Sequence, residues 1–225
     1  MDRVIAFIGP PAVGKTTLTI RLGGNAGCTV FRLREHVPQE MLAAAAANSE
    51  RVDWVDDVTV ARALRAYIEE TTADKSVHTT LLDNFPGSGI QVRLLLGVLR
   101  RLRPGCAVTA VELVLDERVR QERVRSRRVC HTCERDPVRD PRLPAVASGN
   151  DPWCCAHCGG VLHPRRGDAP RLVAARTNRF EHEAPGLRRA FADAGVEIMR
   201  IDASRAVADL TTELSLIITT RSLHS

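Results

Sequence analysis

A glycine-rich stretch near the N-terminus constrains the fold of this 225-residue chain more than any other feature. Residues 9–17, Gly-Pro-Pro-Ala-Val-Gly-Lys-Thr-Thr, satisfy the pattern G-x-x-x-x-G-K-[ST] at every fixed position. The apolar run at 3–8 before them is typical of a short buried strand, and the run from Thr16 to Leu22 is typical of the start of a helix. Because such a loop directs backbone N–H groups toward an anion at a helix N-terminus, the pattern predicts a phosphate-binding loop.

Two residues of this loop have specific predicted roles. Lys15 is expected to contact the β- and γ-phosphates of a nucleotide, and Thr16 to offer its hydroxyl to Mg²⁺. The chain has 32 lysine and arginine residues, and only Lys15 and Lys75 are lysines, so a lysine at the motif position indicates a specific requirement. The residues predicted to hold the phosphates and the metal are Gly9, Pro11, Val13, Gly14, Lys15, Thr16 and Thr17.

Charge and apolar pattern limit the class of protein. A net charge of +5 suits an anionic partner such as nucleotide phosphates. No apolar run approaches the roughly 18 residues of a membrane span, and the run at 3–8 is too short for a signal peptide. We therefore expect a cytoplasmic monomer with no membrane partner.

Strand-like and helix-like segments alternate along most of the chain, which favours an α/β fold. We predict a doubly wound parallel sheet of five strands with helices on both faces. The predicted strands cover residues 3–8, 29–32, 78–82, 108–115 and 196–201, and the predicted helices cover 16–22, 38–47, 58–71, 91–102, 117–128, 170–194 and 204–220. The core is predicted at 1–127 and 167–225, with an acceptor-binding helical part at about 33–72, and a small zinc-ribbon lid is inserted at 128–166.

The insertion carries five of the seven cysteines. Its two Cys-x-x-Cys pairs, at 130–133 and 155–158, have a spacing typical of a structural zinc site with four protein ligands. Cys154 leaves the third ligand open, because Cys154-x3-Cys158 also fits, and three histidines are spare candidates. We interpret the isolated Cys28 and Cys106 as small buried hydrophobic residues. The predicted ligands are Cys130, Cys133, Cys155 and Cys158, and the spare candidates are His131, His157 and His163.

With these two features in place, the chain resembles the adenylate kinase family of nucleoside monophosphate kinases, in its zinc-containing form, over nearly its whole length. Residues 81–86, Leu-Leu-Asp-Asn-Phe-Pro, resemble the family's L-[IL]-D-G-F-P-R stretch, and Gln91 falls at the glutamine of that motif. Residues 126–130 resemble the G-R-R entry to the lid. Residues 162–168 resemble the family's L-x-x-R-x-D-D stretch, with Asp168 at the second acid.

The resemblance implies an ATP-dependent kinase whose lid excludes water from the transferred phosphoryl group. It implies that Asp83 holds Mg²⁺ through water and that Arg127 and Arg205 lie against the adenine. We assign three arginines of the basic helix to a solvated face instead. The residues implied to supply catalytic charge are Lys15, Arg123, Arg165 and Arg176, with Arg123 also in contact with ATP, and the three solvated arginines are Arg118, Arg120 and Arg125.

The acceptor side departs from the family pattern. Gly87 stands where the family has an arginine, and the S-T-G-D-x-x-R stretch is replaced by residues 32–38, Arg-Leu-Arg-Glu-His-Val-Pro. Gly167 replaces one of the lid acids. Arg32, Arg34 and Arg93 are near enough in sequence to act as substitutes. The residues predicted to line the acceptor site are Arg32, Arg34, Glu35, Val55, Asn84, Phe85, Gly87 and Gln91.

These departures favour a kinase whose acceptor is a nucleotide or nucleoside-like molecule other than plain AMP. An ordinary adenylate kinase with shifted arginines is the alternative within the same class. A zinc-ribbon nucleic-acid-binding protein that uses ATP as a switch is the alternative from another class. The basic helix at 117–128 favours that last alternative, whereas an aromatic content of 4% gives little for base stacking.

Overall fold

Strands and helices alternate through the computed structural model, which describes residues 1–42, 55–135 and 140–220. Short 3₁₀ turns lie at Leu33–Glu35 and Arg166–Asp168. The elements are β1 (Arg3–Ile8), α1 (Lys15–Gly23), β2 (Cys28–Phe31), α2 (Asp57–Ala73), β3 (Thr79–Asp83), α3 (Gly89–Leu102), β4 (Ala107–Val114), α4 (Glu117–Ser126), β5 (Arg128–Val129), β6 (His163–Pro164), α5 (Pro170–Asp193), β7 (Ile198–Asp202) and α6 (Val207–Thr220).

A five-stranded parallel sheet forms the centre of the molecule, with the order β2-β3-β1-β4-β7. Every residue of β1 and of β3 is buried, as expected for parallel strands covered on both faces. In register, Phe7 of β1 pairs with Asp83 of β3 and Val111 of β4. The predicted α/β architecture with helices flanking a five-stranded parallel sheet is confirmed.

Two apolar clusters cover the two faces of this sheet. Helices α2, α3 and α5 contribute to one cluster, with buried residues such as Leu64, Leu95 and Phe191. Helices α1 and α6 contribute to the other, with Leu18 and Leu214 among its buried residues. Because the five strands are parallel, their carboxyl ends meet at one edge of this sheet, which is packed on both faces. That edge is the usual place for a site in an α/β protein.

Helix α4 begins after a capping residue and ends earlier than predicted. The Asp116 side chain caps α4 by accepting from the backbone N–H of Arg118 at 2.9 Å. That helix ends at Ser126, before the predicted residue 128, because Arg127 turns into an extended conformation that leads to the insertion. The predicted helix at 38–47 lies mostly outside the described residues, of which 39–42 are helical.

Three side chains differ in burial from their predicted environment. Arg120 is buried rather than solvated, and its guanidinium makes two hydrogen bonds of 2.7 Å with Glu117 one turn earlier. Cys28 and Cys106 are only partly buried, although both pack against the apolar clusters. No helix within the described ranges is long and apolar enough to cross a membrane.

Candidate functional site

The loop between β1 and α1 turns through backbone conformations that favour glycine. Gly9 has a φ of 139°, and Gly14, which precedes the first residue of α1, has a φ of 106°. A Cβ on Gly9 would lie 2.6 Å from the carbonyl oxygen of Leu113 in β4, so any side chain there would displace the strand. The two glycines therefore let this loop lie tightly against the sheet edge.

The Lys15 side chain folds back over this loop. Its Nζ donates to the carbonyl oxygens of Gly9, at 2.6 Å, and of Pro10, at 2.8 Å. Burial lowers the pKa of Lys15 from 10.5 to about 8, while nearby Asp83 raises it and Arg176 lowers it further. A buried ammonium with a cationic neighbour is an environment that a bound anion would stabilise.

Asp83 lies at the carboxyl end of β3, next to the first turn of α1. Its Oδ1 accepts from the Thr16 hydroxyl at 3.1 Å, and its Oδ2 accepts from Arg32 Nε, also at 3.1 Å. The Asp83 side chain is only 4% exposed. A carboxylate beside a hydroxyl is a suitable pair of oxygen ligands for Mg²⁺, directly or through water. Asp83 therefore lies beside the loop at 9–17, and its role as a magnesium ligand stays a prediction of the resemblance.

Arg123 of α4 contacts the same loop, and Arg176 of α5 is near enough to Lys15 to lower its pKa. Arg123 Nη2 donates to the carbonyl oxygen of Ala203 at 2.8 Å, and its Nη1 lies 3.5 Å from the carbonyl oxygen of Val13. Arg176 Nε donates to Leu172 O within α5 at 3.1 Å, and its Nη2 contacts the carbonyl oxygen of Gly167. Both guanidinium groups thus donate to backbone carbonyls, which help to fix their positions.

Arg165 is crowded by other cations. Burial lowers the pKa of Arg165, as do the positive charges of Arg127 and Arg34, while Asp168 and Asp140 act in the opposite direction. Its Nη1 lies 3.8 Å from the Asp168 carboxylate, and Arg127 makes a paired contact with that same carboxylate. Arg165 Nε is buried and has no hydrogen-bond partner among the described residues. This cluster carries more positive than negative charge.

On the acceptor side, the predicted arginines are accompanied by carboxylates. Arg32 bonds Asp83, and its Nη1 lies 3.8 Å from Glu35. Glu35 also pairs with Arg142 of the insertion at 3.3 Å. Arg34 is exposed and near enough to Arg165 to influence its pKa. Sequence reasoning missed Arg142, because its partner Glu35 lies more than a hundred residues away in the chain.

The other predicted acceptor residues occupy the segment around β3 and α3. Gly87 is exposed, and its N–H donates to Gln91 Oε1 at 2.8 Å. Phe85 and Val55 are buried in the apolar cluster. Asn84 has a φ of 58°, a left-handed conformation that asparagine adopts more readily than most residues. The loop after β3 is thus tied to α3 through Gln91 and carries no side chain at position 87.

The structure also brings together an aromatic cluster around Phe31, which was not predicted from the sequence. The Phe31 ring stacks on His36 with centroids 5.2 Å apart and meets Tyr67 at 4.9 Å and Phe85 at 5.5 Å. Tyr67 also donates to Thr29 at 3.0 Å. Its members come from four different segments, so no local motif could have indicated that they meet.

The four predicted cysteine ligands converge in the insertion. Their sulfur atoms all lie within 4.8 Å of one another, with Sγ–Sγ distances of 3.4 Å for Cys130–Cys158 and 3.7 Å for Cys133–Cys155. Burial opposes ionisation of Cys130, but backbone N–H groups of Cys133 and Thr132 and the Cys158 thiol lower its pKa, while hydrogen bonds with Cys158, Cys130 and Cys155 raise the pKa of Cys133. Thiolates are the form in which cysteine binds metal. The cluster could therefore hold a metal ion.

The structure also distinguishes between the neighbouring cysteines 154 and 155. Cys154 lies outside the cluster, and its thiol donates to Asp151 at 3.1 Å. His131 and His163 pack against each other, with centroids 5.8 Å apart. The antiparallel pairing of β5 with β6, which places Val129 opposite His163, closes the base of the insertion. Cys155 is thus the third member of the cluster.

Arg205 lies at the far side of the carboxyl edge of the sheet, between β7 and α6. Its Nη1 pairs with Glu213 at 2.6 Å, and both side chains are more than 40% exposed.

No model of a known protein family matches this chain, and no curated protein matches it significantly either. The residues themselves, with their distances and charges, are therefore the basis for a functional proposal.

Proposed function

We propose that this chain is an adenylate-kinase-like phosphotransferase that moves the γ-phosphoryl group of ATP to a nucleotide or nucleoside-like acceptor other than AMP. One observation carries the proposal. The buried Lys15 ammonium lies in the loop between β1 and α1, close to Asp83 at the end of β3 and to Arg176. Assignment of residues 9–17 as a P-loop is part of this proposal and is supported by the motif and by the positive φ of Gly9 and Gly14.

The distribution of cations supports phosphoryl transfer. Lys15 and Arg176 influence each other electrostatically, and Arg165 is crowded by Arg127 and Arg34. Phosphoryl transfer needs positioned positive charge around the transferred group rather than a covalent intermediate. Guanidinium groups that are fixed by backbone carbonyls, as in Arg123 and Arg176, meet this need with little reorganisation.

Thr16 and Asp83 fit a magnesium site. The two side chains are hydrogen-bonded at 3.1 Å and lie beside Lys15. Bound Mg²⁺ would neutralise part of the phosphate charge and orient the phosphate oxygens. The chain holds the Thr16 hydroxyl and the Asp83 carboxylate at fixed positions. Arg32 helps to fix the carboxylate by donating a hydrogen bond to its second oxygen.

The acceptor side supports a molecule that is less anionic than AMP at this point. Arg32 is paired with Asp83 and Glu35, and Glu35 is also paired with Arg142. Gly87 provides no charge where the resemblance calls for an arginine. A phosphate dianion would have to approach the Glu35 carboxylate, whereas an acceptor hydroxyl could donate a hydrogen bond to it. We therefore favour an acceptor whose hydroxyl, rather than its phosphate, approaches Glu35.

The cysteine cluster fits a structural zinc ion. Four thiolate ligands complete a tetrahedron and leave no position for substrate. The described part of the insertion has few buried apolar residues besides the cluster itself, notably Leu162. Zinc would therefore stabilise the segment that carries Arg165 and Asp168, and would take no part in the chemistry.

An acceptor screen tests the proposal. Purified protein with ATP and Mg²⁺ is tested against nucleoside monophosphates, nucleosides and nucleotide-like metabolites, with ADP formation and ³¹P NMR of the product as readouts. We expect acceptor-dependent ADP formation with at least one acceptor and much slower reaction with AMP. Efficient turnover of AMP, with kcat/KM near 10⁶ M⁻¹s⁻¹ on the general enzyme scale, would identify an ordinary adenylate kinase instead. Absence of acceptor-dependent ADP formation across the screen would contradict the proposal.

A further inference from the structure

The turn that carries Arg165 lacks one carboxylate in its own sequence. Residues 162–168 have glycine at position 167, where the resemblance calls for an acid. Arg165 and Arg166 precede that glycine, and Arg176 contacts its carbonyl oxygen. A turn with two arginines of its own, a third in contact with it and only Asp168 as an internal acid needs further negative charge if these arginines are to be held close together.

Asp140 supplies a carboxylate to this turn from another part of the insertion. Its Oδ2 accepts from the backbone N–H of Gly167 at 2.7 Å, and its Oδ1 accepts from Arg166 Nε at 3.0 Å. The Asp140 side chain is only 10% exposed. Although burial opposes ionisation, these donors and the charge of Arg165 lower the pKa of Asp140, so the carboxylate is ionised at neutral pH.

The position of this carboxylate coincides with the one that a side chain at residue 167 would reach. A Cβ built on Gly167 would lie 3.4 Å from Asp140 Oδ2, 3.8 Å from Arg176 Nη2 and 4.0 Å from Arg165 Cζ. The φ of Gly167 is outside the left-handed region, so this backbone accepts other residues. An acid at either position would therefore direct negative charge to the same space between two arginines.

We propose that Asp140 is a positioning residue, which replaces the missing acid at 167 and fixes the two arginines on either side of it. It orders Arg176 through Gly167, whose N–H bonds Asp140 and whose carbonyl bonds Arg176. It orders Arg165 by charge, opposing the repulsion from Arg127 and Arg34. The role of this residue in catalysis depends on the proposed phosphotransferase function, whereas its hold on the turn does not.

A relocation experiment tests the assignment. Asp140→Asn removes the charge while keeping an oxygen for the Gly167 N–H, and Asp140→Asn/Gly167→Asp returns an acid to the turn. The matched control is Glu181→Gln, which removes one negative charge from an exposed position on α5. Each variant is assayed with ATP and the best acceptor of the screen, at matched zinc content and thermal stability.

We expect Asp140→Asn to lower kcat about tenfold, equivalent to about 1.4 kcal/mol, with less than about threefold change in the KM for ATP. Loss of a negative charge does not weaken attraction of the polyphosphate, but misplaced arginines slow the transfer. Adding Gly167→Asp should restore kcat to within about threefold of the parent, and Glu181→Gln should have no effect. A kcat unchanged in Asp140→Asn, or no recovery in the double variant, would overturn the assignment.

Backbone hydrogen exchange separates this inference from the proposed function. In Asp140→Ala, which removes both acceptor oxygens, exchange at the Gly167 amide should accelerate at least about tenfold relative to Glu181→Gln. If the parent protein transfers no phosphoryl group, the proposed function fails. Faster exchange at the Gly167 amide in Asp140→Ala would still support the inference that Asp140 stabilises the turn. Unchanged exchange in Asp140→Ala would overturn that hold directly.

Discussion

The sheet edge and the cysteine-rich insertion hold their charged residues by opposite means. Lys15 follows β1 and Asp83 ends β3, two strands whose residues are all buried between the apolar clusters that cover the faces of the sheet. Arg165 belongs to a segment whose only apolar cluster contains Cys130, Cys155 and Leu162 with Ala145 beside it, among the described residues. Burial of apolar surface positions the first pair, whereas cysteines and ion pairs position the second.

Because of this difference, the stability of the fold and part of the proposed chemistry depend on different regions of the molecule. A sheet packed on both faces retains its fold without a ligand, because its stabilisation comes from apolar burial. A small polar segment depends on a metal ion or equivalent cross-links to compensate for its loss of chain entropy. We therefore expect changes at the sheet edge to reduce catalysis without unfolding the chain, and changes at the cysteines to affect order first.

Replacement of Lys15 by methionine should have the largest effect on activity. Lys15→Met removes the buried ammonium but retains an unbranched side chain, so we expect phosphoryl transfer to fall at least about a thousandfold with no loss of thermal stability. Lys75→Met is the matched control, since Lys75 is the other lysine and is exposed. Comparable turnover in Lys15→Met, measured as ADP formation, would show that the sheet edge is not the phosphate site.

Removal of metal should disorder the insertion while leaving the sheet folded. We expect about one zinc per chain, and its loss in Cys130→Ser, with at least about a tenfold fall in activity because the segment carrying Arg165 loses its fixed position. Metal analysis gives the stoichiometry, and the fluorescence of Trp153, in a Trp54→Phe background, reports on the insertion. Far-ultraviolet circular dichroism reports on the sheet and its helices.

A Cys154→Ser variant is the control for the metal experiment, because Cys154 lies outside the cluster and bonds Asp151. It should retain zinc and activity. Zinc retained in Cys130→Ser would remove Cys130 from the ligand set. Loss of the far-ultraviolet signal on chelation would show instead that the sheet depends on the insertion.

The acceptor side gives a prediction of intermediate size. We expect AMP to have a kcat/KM at least about a hundredfold below that of the best acceptor, a ratio equivalent to roughly 2.7 kcal/mol. Gly87→Arg should improve the use of AMP relative to that acceptor by about tenfold, because position 87 is exposed and its φ accepts a side chain. Gly87→Gln is the control for size without charge. Equal gains in both variants would show that the missing charge is not the cause.

The smallest expected effect is a pH dependence of stability that originates at Lys15. The unfolded chain holds this proton up to about pH 10.5, whereas the folded chain releases it at about 8. The unfolded state therefore binds more protons between these values, and the contribution of Lys15 to stability increases with pH in this window. Relative to Lys15→Met, the parent should gain roughly 2 kcal/mol in free energy of unfolding between pH 7 and pH 10.

Denaturant unfolding of the two proteins without nucleotide, at several pH values, measures this difference. Lys75→Met should follow the parent at every pH, because Lys75 is exposed in the folded state. A difference between the parent and Lys15→Met that does not change with pH would show that Lys15 is charged and well solvated in the fold. That result would weaken the comparison between the packed sheet edge and the insertion.

Local patterns in the sequence determined the elements and the candidate metal ligands. Strand β1 and the glycines after it form the predicted strand and turn, because apolar runs and positive-φ positions are local requirements. The two Cys-x-x-Cys pairs predicted a cluster that the structure brings together within 4.8 Å. Sequence could not choose between Cys154 and Cys155, since both satisfy the spacing and only the surrounding chain orients one of them inward.

Tertiary structure decided which charges from distant segments meet. Arg32 with Asp83 and Arg142 with Glu35 are pairs between distant segments, and neither has a local spacing that would have predicted it. Arg120, assigned to a solvated face by its basic surroundings, is buried, and this burial was not indicated by its local pair with Glu117 three residues earlier. An ion pair depends on distance and burial in space, whereas a strand, a turn or a Cys-x-x-Cys pair depends on neighbours in the chain. That is why the sequence indicated a cationic site but not Asp140, the carboxylate that lies within it.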